Sequence, residues 1–168
     1  MEPSNEPASE GLEFLNPSGP QYRVWLSRPA LDAMVAASAK AGRRETGGIL
    51  IGRHGSDGWT VEVAEATPKP KGSIAGWFTF RRSNDGLKRL LASRWERGQH
   101  YVGEWHFHPG GAPTPSSSDD RAMERISSDA DYDCVEPVLL ILGGLPPAKF
   151  ELSATIYPRA IKIPLRQG

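Results

Sequence analysis

The sequence predicts one α/β domain of the mixed α+β kind, with a mixed β-sheet flanked by helices. Three observations carry this. The apolar spacing alternates between strand and helix periods in the order β-α-β-β-β-α-β-α-β-β, combining adjacent strands with helical crossovers. No repeat or linker divides the 168 residues, a length that suits one core. Ile49-Leu50-Ile51 is apolar without alternation, the pattern of a strand covered on both faces.

Taken in order, the opening segment is rich in glutamate, proline and serine and has neither the basic nor the apolar region of a secretory leader. Residues 1–19 therefore read as a flexible lead-in, and residues 20–168 as the domain. Tyr22 to Leu26 is a first strand of good β-formers. Pro29 suits the first turn of a helix capped by Ser27. Leu31, Met34, Val35, Ser38 and Ala39 then recur at helical spacing, and Gly42 is the stop. The buried strand Ile49 to Ile51 ends at Gly52. His54 to Gly58 forms a turn, and Trp59 to Ala66 alternates as a strand.

Thr67 to Gly76 is a loop of prolines, lysines and glycines, after which Trp77 to Phe80 is extended. Ser83 caps a second helix whose stripe is Leu87, Leu90, Leu91 and Trp95, closed by Gly98. His100 to His108 is a long strand, and Gly110 to Pro115 a breaker-rich loop. Ser116 opens a third helix with Ala122, Met123 and Ile126 inward. Pro137 to Leu142 and Lys149 to Tyr157 are the last strands, and a short tail follows Pro158.

Bulk composition removes several function classes. Twenty Lys plus Arg balance twenty Asp plus Glu, so no net field draws the chain to nucleic acid or anionic lipid. No apolar run approaches the roughly 18 residues that span a bilayer. Cys134 is the lone cysteine, which rules out an internal disulfide and points to a reducing, cytoplasmic setting.

The chemistry concentrates in His106-Phe107-His108-Pro109 and in Asp119 beyond it. Strand side chains alternate, so the two imidazoles share a face. By parity Val102 and Glu104 join them, while Tyr101, Gly103, Trp105 and Phe107 take the apolar side. Ser116-x-x-Asp119 fits a helix capping box, which by itself accounts for the aspartate. Beside two imidazoles, however, a carboxylate in the first helical turn can swing back to join them. Two nitrogens and one oxygen leave the fourth place of a tetrahedral zinc open, the ligand count of a catalytic site. Asp120 has the right chemistry but sits about 100° further round the helix. His54 and His100 read as ordinary hydrogen-bonded or surface residues. The chain thus reads as a hydrolase that activates water on a metal. Glu104 shares the histidines' face, and spacing alone does not choose between it and Glu45 as proton acceptor.

Glu45-Thr46-Gly47-Gly48, His106-x-His108-Pro109, Pro115-Ser116 and Asp119 together resemble the JAMM motif of the MPN-plus, or JAB-domain, metalloproteases. That family removes ubiquitin and ubiquitin-like modifiers at isopeptide bonds. The resemblance runs from Glu45 to Asp119 and implies an MPN/JAB-like domain with a curved sheet. It implies zinc held by His106, His108 and Asp119, Glu45 as general base and then acid, and Ser116 as donor to the oxyanion. Glu104 then falls back to a supporting or surface place.

Gly103 to Pro109 is similar to compact bacterial JAB proteins encoded beside antiphage (CBASS-type) conjugation systems, where such proteins act as deconjugating peptidases. This implies a protein conjugate or the C-terminal tail of a ubiquitin-like modifier as substrate. It also implies E1- and E2-like proteins and a nucleotidyltransferase as partners. Processing of a sulfur-carrier protein is an alternative within catalysis. Outside catalysis the alternative is an MPN-type scaffold that binds proteins, although such members lack ligands that this chain retains. DNA-repair-linked relatives share a His-x-His-Pro-x-Gly loop, but the neutral charge balance argues against phosphate-backbone binding. Lys69 to Phe80 stands where the family carries a substrate-facing insertion, so Trp77 and Phe80 either clamp an extended tail or pack on the core. Gly47 and Gly48 allow close approach of a neighbouring strand or of the tail, or simply relax the chain into its strand. Such tails commonly bind as a strand added at a sheet edge.

Overall fold

In the computed structural model, which describes residues 10–68 and 85–168, the chain order places a helix after each strand that must be crossed over. The elements are β1 (Leu12–Leu15), β2 (Arg23–Leu26), α1 (Arg28–Ala41), β3 (Thr46–His54), β4 (Thr60–Ala66), α2 (Asp85–Trp95) and β5 (His100–Pro109). They continue with α3 (Ser117–Ser128), β6 (Val138–Leu145), β7 (Lys149–Ile156), a 3-10 turn (Pro158–Ala160) and β8 (Ile163–Gln167). The extended run Trp77–Phe80, the cap Ser83 and the proposed clamp of Trp77 and Phe80 lie outside the described residues.

The mixed sheet goes further than curvature. Its strands run β1-β2-β4-β3-β5-β6-β7-β8 and close into a barrel through pairing of β1 with β8. Both closing strands were unexpected, since Leu12–Leu15 falls in the supposed lead-in and Ile163–Gln167 in the supposed tail. Each is only four or five residues long, and the deeply buried side chains are Phe14 in one and Leu165 in the other. No periodicity can show in so few positions. Closure leaves no open edge among the described residues, where every strand is paired on both sides.

A closed sheet has an inside, and one buried cluster draws side chains from all eight strands. It includes Phe14, Leu26, Leu50, Trp105, Phe107 and Leu140, together with Ala30, Leu31 and Met34 of α1. Helix α1 follows the expected pattern, with the Ser27 hydroxyl accepting from the Ala30 N–H at 3.3 Å and Gly42 at φ 65° ending it. A second cluster covers the other face of β3, β5 and β6. There Ile49, Ile51, Leu139 and Ile141 meet Leu87 of α2 and Met123 and Ile126 of α3. The continuous apolar run of β3 is therefore buried on both sides. Trp95 departs from its predicted inward stripe and is 69% exposed. It is the final residue of α2, and its ring stands edge-on to His100.

Two details of β5 position the site. β5 and β6 are parallel, and a parallel pair needs a crossover, which α3 supplies. The crossover brings the start of α3 to the end of β5, where His106 and His108 stand. The second detail is a bulge: Leu50 pairs with Gly103 and Ile51 with Tyr101, leaving Val102 extra. Simple alternation had placed Val102 beside Glu104 and Tyr101 beside Phe107. The extra residue reverses this, so Val102 joins Trp105 and Phe107 inside while Tyr101 turns to the face of Glu104 and His106. Gly103 makes the bulge feasible, having φ 156° and a position where a Cβ would collide with the Val138 carbonyl.

Candidate active site

The loop after β5 and the cap of α3 build the site. Ser116 caps α3 in a complete capping box. Its Oγ accepts from the Asp119 N–H at 3.1 Å, and its own N–H donates to Asp119 Oδ2 at 2.8 Å. Pinned in this way, Asp119 presents Oδ1 to His106 Nδ1 at 2.9 Å, while its Oδ2 stands 3.4 Å from His108 Nε2. The cap and the suspected ligand are thus one side chain in two roles. The Gly110–Pro115 loop is held in turn by the Ser153 hydroxyl, which donates to the Pro113 carbonyl.

Charge explains why this cluster is stable. Burial opposes a charged His106, yet the hydrogen bond to Asp119 and the neighbouring Glu104 overcome it and raise the imidazole from 6.5 to about 9. Asp119 shows the reciprocal effect. Burial would raise it, but hydrogen bonds from His106 and the Ser116 backbone bring it from 3.8 down to about 2. The site therefore already binds one cation, a proton shared by imidazole and carboxylate.

Glu45, His106, His108, Ser116 and Asp119 line one cleft of about 360 Å³ together with Thr46. Glu45 immediately precedes β3, whose Thr46 and Gly47 pair with Phe107 and His106 of β5. That register delivers its exposed side chain to the rim. Gly48 serves close approach between strands, because a Cβ there would meet the Thr67 carbonyl. Asp120 is occupied elsewhere: the Tyr157 hydroxyl donates to its Oδ1 at 2.7 Å and Lys162 Nζ to its Oδ2 at 3.0 Å. Those bonds anchor α3 to the chain beyond β7 and keep Asp120 out of the cleft.

Glu104 is not a surface residue, being 2% exposed. Its Oε2 lies 3.6 Å from His106 Nε2, behind the ring, and its Oε1 accepts from the Tyr101 hydroxyl at 3.1 Å. It does not line the cleft. Sequence reading missed the Tyr101 contact because the bulge at Val102 carries no reliable signature. Gly103 was its only trace.

Among the described residues, no three His, Cys, Asp or Glu side chains surround one point at metal-ligand spacing. Asp119 instead closes directly on the rings. In type, the donors fit a divalent transition metal. Each imidazole turns one nitrogen to Asp119, and the other faces an acceptor, Glu104 for His106 and the Ala112 carbonyl at 3.3 Å for His108. A cation entering the cleft would take the place of the shared proton.

Comparison with known proteins places the chain in a family. Prokaryotic homologs of the JAB domain match residues 27–156. A CD-NTase/cGAS isopeptidase of Enterobacter hormaechei subsp. hoffmannii is 49% identical over 141 residues, covering 84% of this chain and 78% of that protein. "Probable metalloprotease y4qB" of Sinorhizobium fredii is 23% identical over 127 residues, covering 73% and 77% respectively. The solution structure of a protein from Desulfitobacterium hafniense shares the fold at TM-score 0.54 and 22% identity, covering 84% of this chain and 86% of its own. The family match begins at the cap of α1 and ends with β7, so it takes in every element that shapes the cleft. The chain belongs to the prokaryotic homologs of the JAB domain.

Proposed function

We propose that this protein is a zinc-dependent isopeptidase. It hydrolyses the bond between the C-terminus of a ubiquitin-like modifier, or of another conjugated protein, and its target. One observation carries this: two imidazoles, a carboxylate, a second carboxylate and a hydroxyl, drawn from three elements, face one cleft. The relative described as a CD-NTase/cGAS isopeptidase supports a conjugated nucleotidyltransferase as substrate; E1- and E2-like partners and a setting in cytoplasmic antiphage defence complete the proposal.

His106, His108 and Asp119 would hold the metal. Bound zinc supplies a water whose pKa falls from about 15.7 to about 7. Glu45, at the rim, accepts a proton from the attacking water and returns it to the departing amine. Ser116 Oγ already accepts from the Asp119 N–H, so its own O–H can turn to the cleft and donate to the tetrahedral oxyanion.

The test is cleavage of a purified protein conjugate by wild type, by wild type with chelator and by Glu45→Gln. Wild type should cleave. Chelator should stop cleavage, with zinc restoring it. Glu45→Gln should bind about one zinc per chain yet leave the conjugate intact. Full cleavage by Glu45→Gln, or in chelator, rejects the reading.

A further inference from the structure

Asp119 and Asp120 are neighbours in the first turn of α3, and successive residues on a helix point about 100° apart. Asp119 faces the histidines of the cleft, while Asp120 is gripped from another side. The Tyr157 hydroxyl donates to Asp120 Oδ1 at 2.7 Å, and Lys162 Nζ donates to Asp120 Oδ2 at 3.0 Å. Both carboxylate oxygens are thereby taken. Neither Tyr157, Asp120 nor Lys162 lines the cleft.

The grip is rooted in the barrel. Tyr157 is fully buried in the cluster of Met123, Ile126 and Ile141, and its backbone N–H donates to the Pro137 carbonyl at 3.0 Å. Lys162 directly precedes β8, which is bonded to β7 and to β1. Between them the turn Pro158–Ala160 lies against α3, with Arg159 at φ 48° and Ala160 at φ 69°. Two successive non-glycine residues in the left-handed region are strained and persist only where surrounding contacts hold them. This strained turn brings Tyr157 and Lys162 back to the same carboxylate. The helix dipole alone favours an acid in a first turn, but that effect needs no partner. Here a buried hydroxyl and an ammonium are both spent on Asp120. A turn held by one side chain can still rotate about the helix axis; held on two sides it cannot.

We propose that Tyr157 and Lys162 are positioning residues: through Asp120 they lock the rotation of the first turn of α3 and so aim Asp119 at His106 and His108. They act through the helix and touch no substrate. The consequence for turnover rests on the proposed hydrolysis, whereas the first test needs neither metal nor substrate.

That test is amide hydrogen exchange, read by NMR on metal-free protein, at Asp119 and Asp120, whose N–H groups both donate to Ser116. Tyr157→Phe should speed both about tenfold, the loss of one hydrogen bond to a charged group. Lys162→Met should act in the same sense but less, and Lys162→Arg should restore the wild-type rates. Ile126→Val loosens the buried face of α3 without touching the clamp and controls for general destabilisation. On a protein conjugate, Tyr157→Phe should lower kcat by about 10- to 100-fold, as a misplacement of about 1 Å does, with KM within about twofold. Exchange or kcat left at wild-type values by Tyr157→Phe, or changed as much by Ile126→Val, overturns the inference. Wild-type protein that cleaves no conjugate counts against the proposed function instead, and the exchange rates then decide this inference by themselves.

Discussion

At the start of β5, His100 Nε2 meets His54 Nδ1 of β3 at 3.1 Å; at its end, His106 and His108 meet Asp119. Both places bring imidazoles together at β5, yet their electrostatics run in opposite directions. Burial pushes His54 below its usual value, and Glu136 opposes this without prevailing. Burial also lowers His100, the charge of His54 adds to the effect, and Asp133 opposes it. His106 is more deeply buried than either and is nevertheless raised to about 9. Burial by itself favours the neutral ring; a carboxylate in contact reverses the sign. The difference lies in α3, which delivers Asp119 to one end of the strand and nothing comparable to the other.

The severest way to break this contrast is Asp119→Ala. It should abolish conjugate cleavage and zinc uptake, and by NMR titration His106 should fall well below about 9. A variant that still cleaves would end the comparison. Ser116→Ala comes next. Loss of an oxyanion donor predicts a drop of about 10²–10³ in kcat. Loss of the cap predicts about 1 kcal/mol in denaturant unfolding.

Acidity sharpens the contrast further in metal-free protein. His106 has its folded value near 9, above the ordinary 6.5, so its stabilisation is complete below pH 6.5 and is lost as pH rises through about 9. Asp119, lowered from 3.8 to about 2, stabilises above pH 3.8 and ceases to do so as pH falls through about 2. His54 and His100 are lowered from 6.5, so their contribution is present above pH 6.5 and is lost as pH falls through their folded values. Melting scans should therefore show an alkaline decline that His106→Gln removes and a mildly acidic decline that His54→Gln reduces. The reverse assignment would refute the contrast. The smallest effect concerns His54 itself: His54→Gln should leave cleavage within about twofold of wild type while His100 titrates closer to its ordinary value, as expected for a site far from the chemistry.

Much of this was legible in the residues. His106 and His108 two apart, Ser116 three before Asp119, and the unbroken run of β3 each follow from a local period or a local cap, and local rules survive folding. What could not be read depends on partners distant in sequence. β1 and β8 exist because each pairs with the other and with a neighbour, while their own few residues carry no pattern. The parity of Tyr101 was misjudged because one inserted residue, Val102, undoes alternation for everything before it. Glu104 looked peripheral for the same reason, since the hydroxyl that satisfies it seemed to point away.

The capping box carries one more consequence. Asp119 faces the histidines only while its Oδ2 is held by the Ser116 backbone, and helix ends are the first parts of a helix to open. Gentle warming that peels back this opening turn alone would swing the carboxylate out while the barrel still stands. Activity should then fade reversibly at temperatures where circular dichroism still reports an intact protein, making the first turn of α3 a heat-sensitive latch.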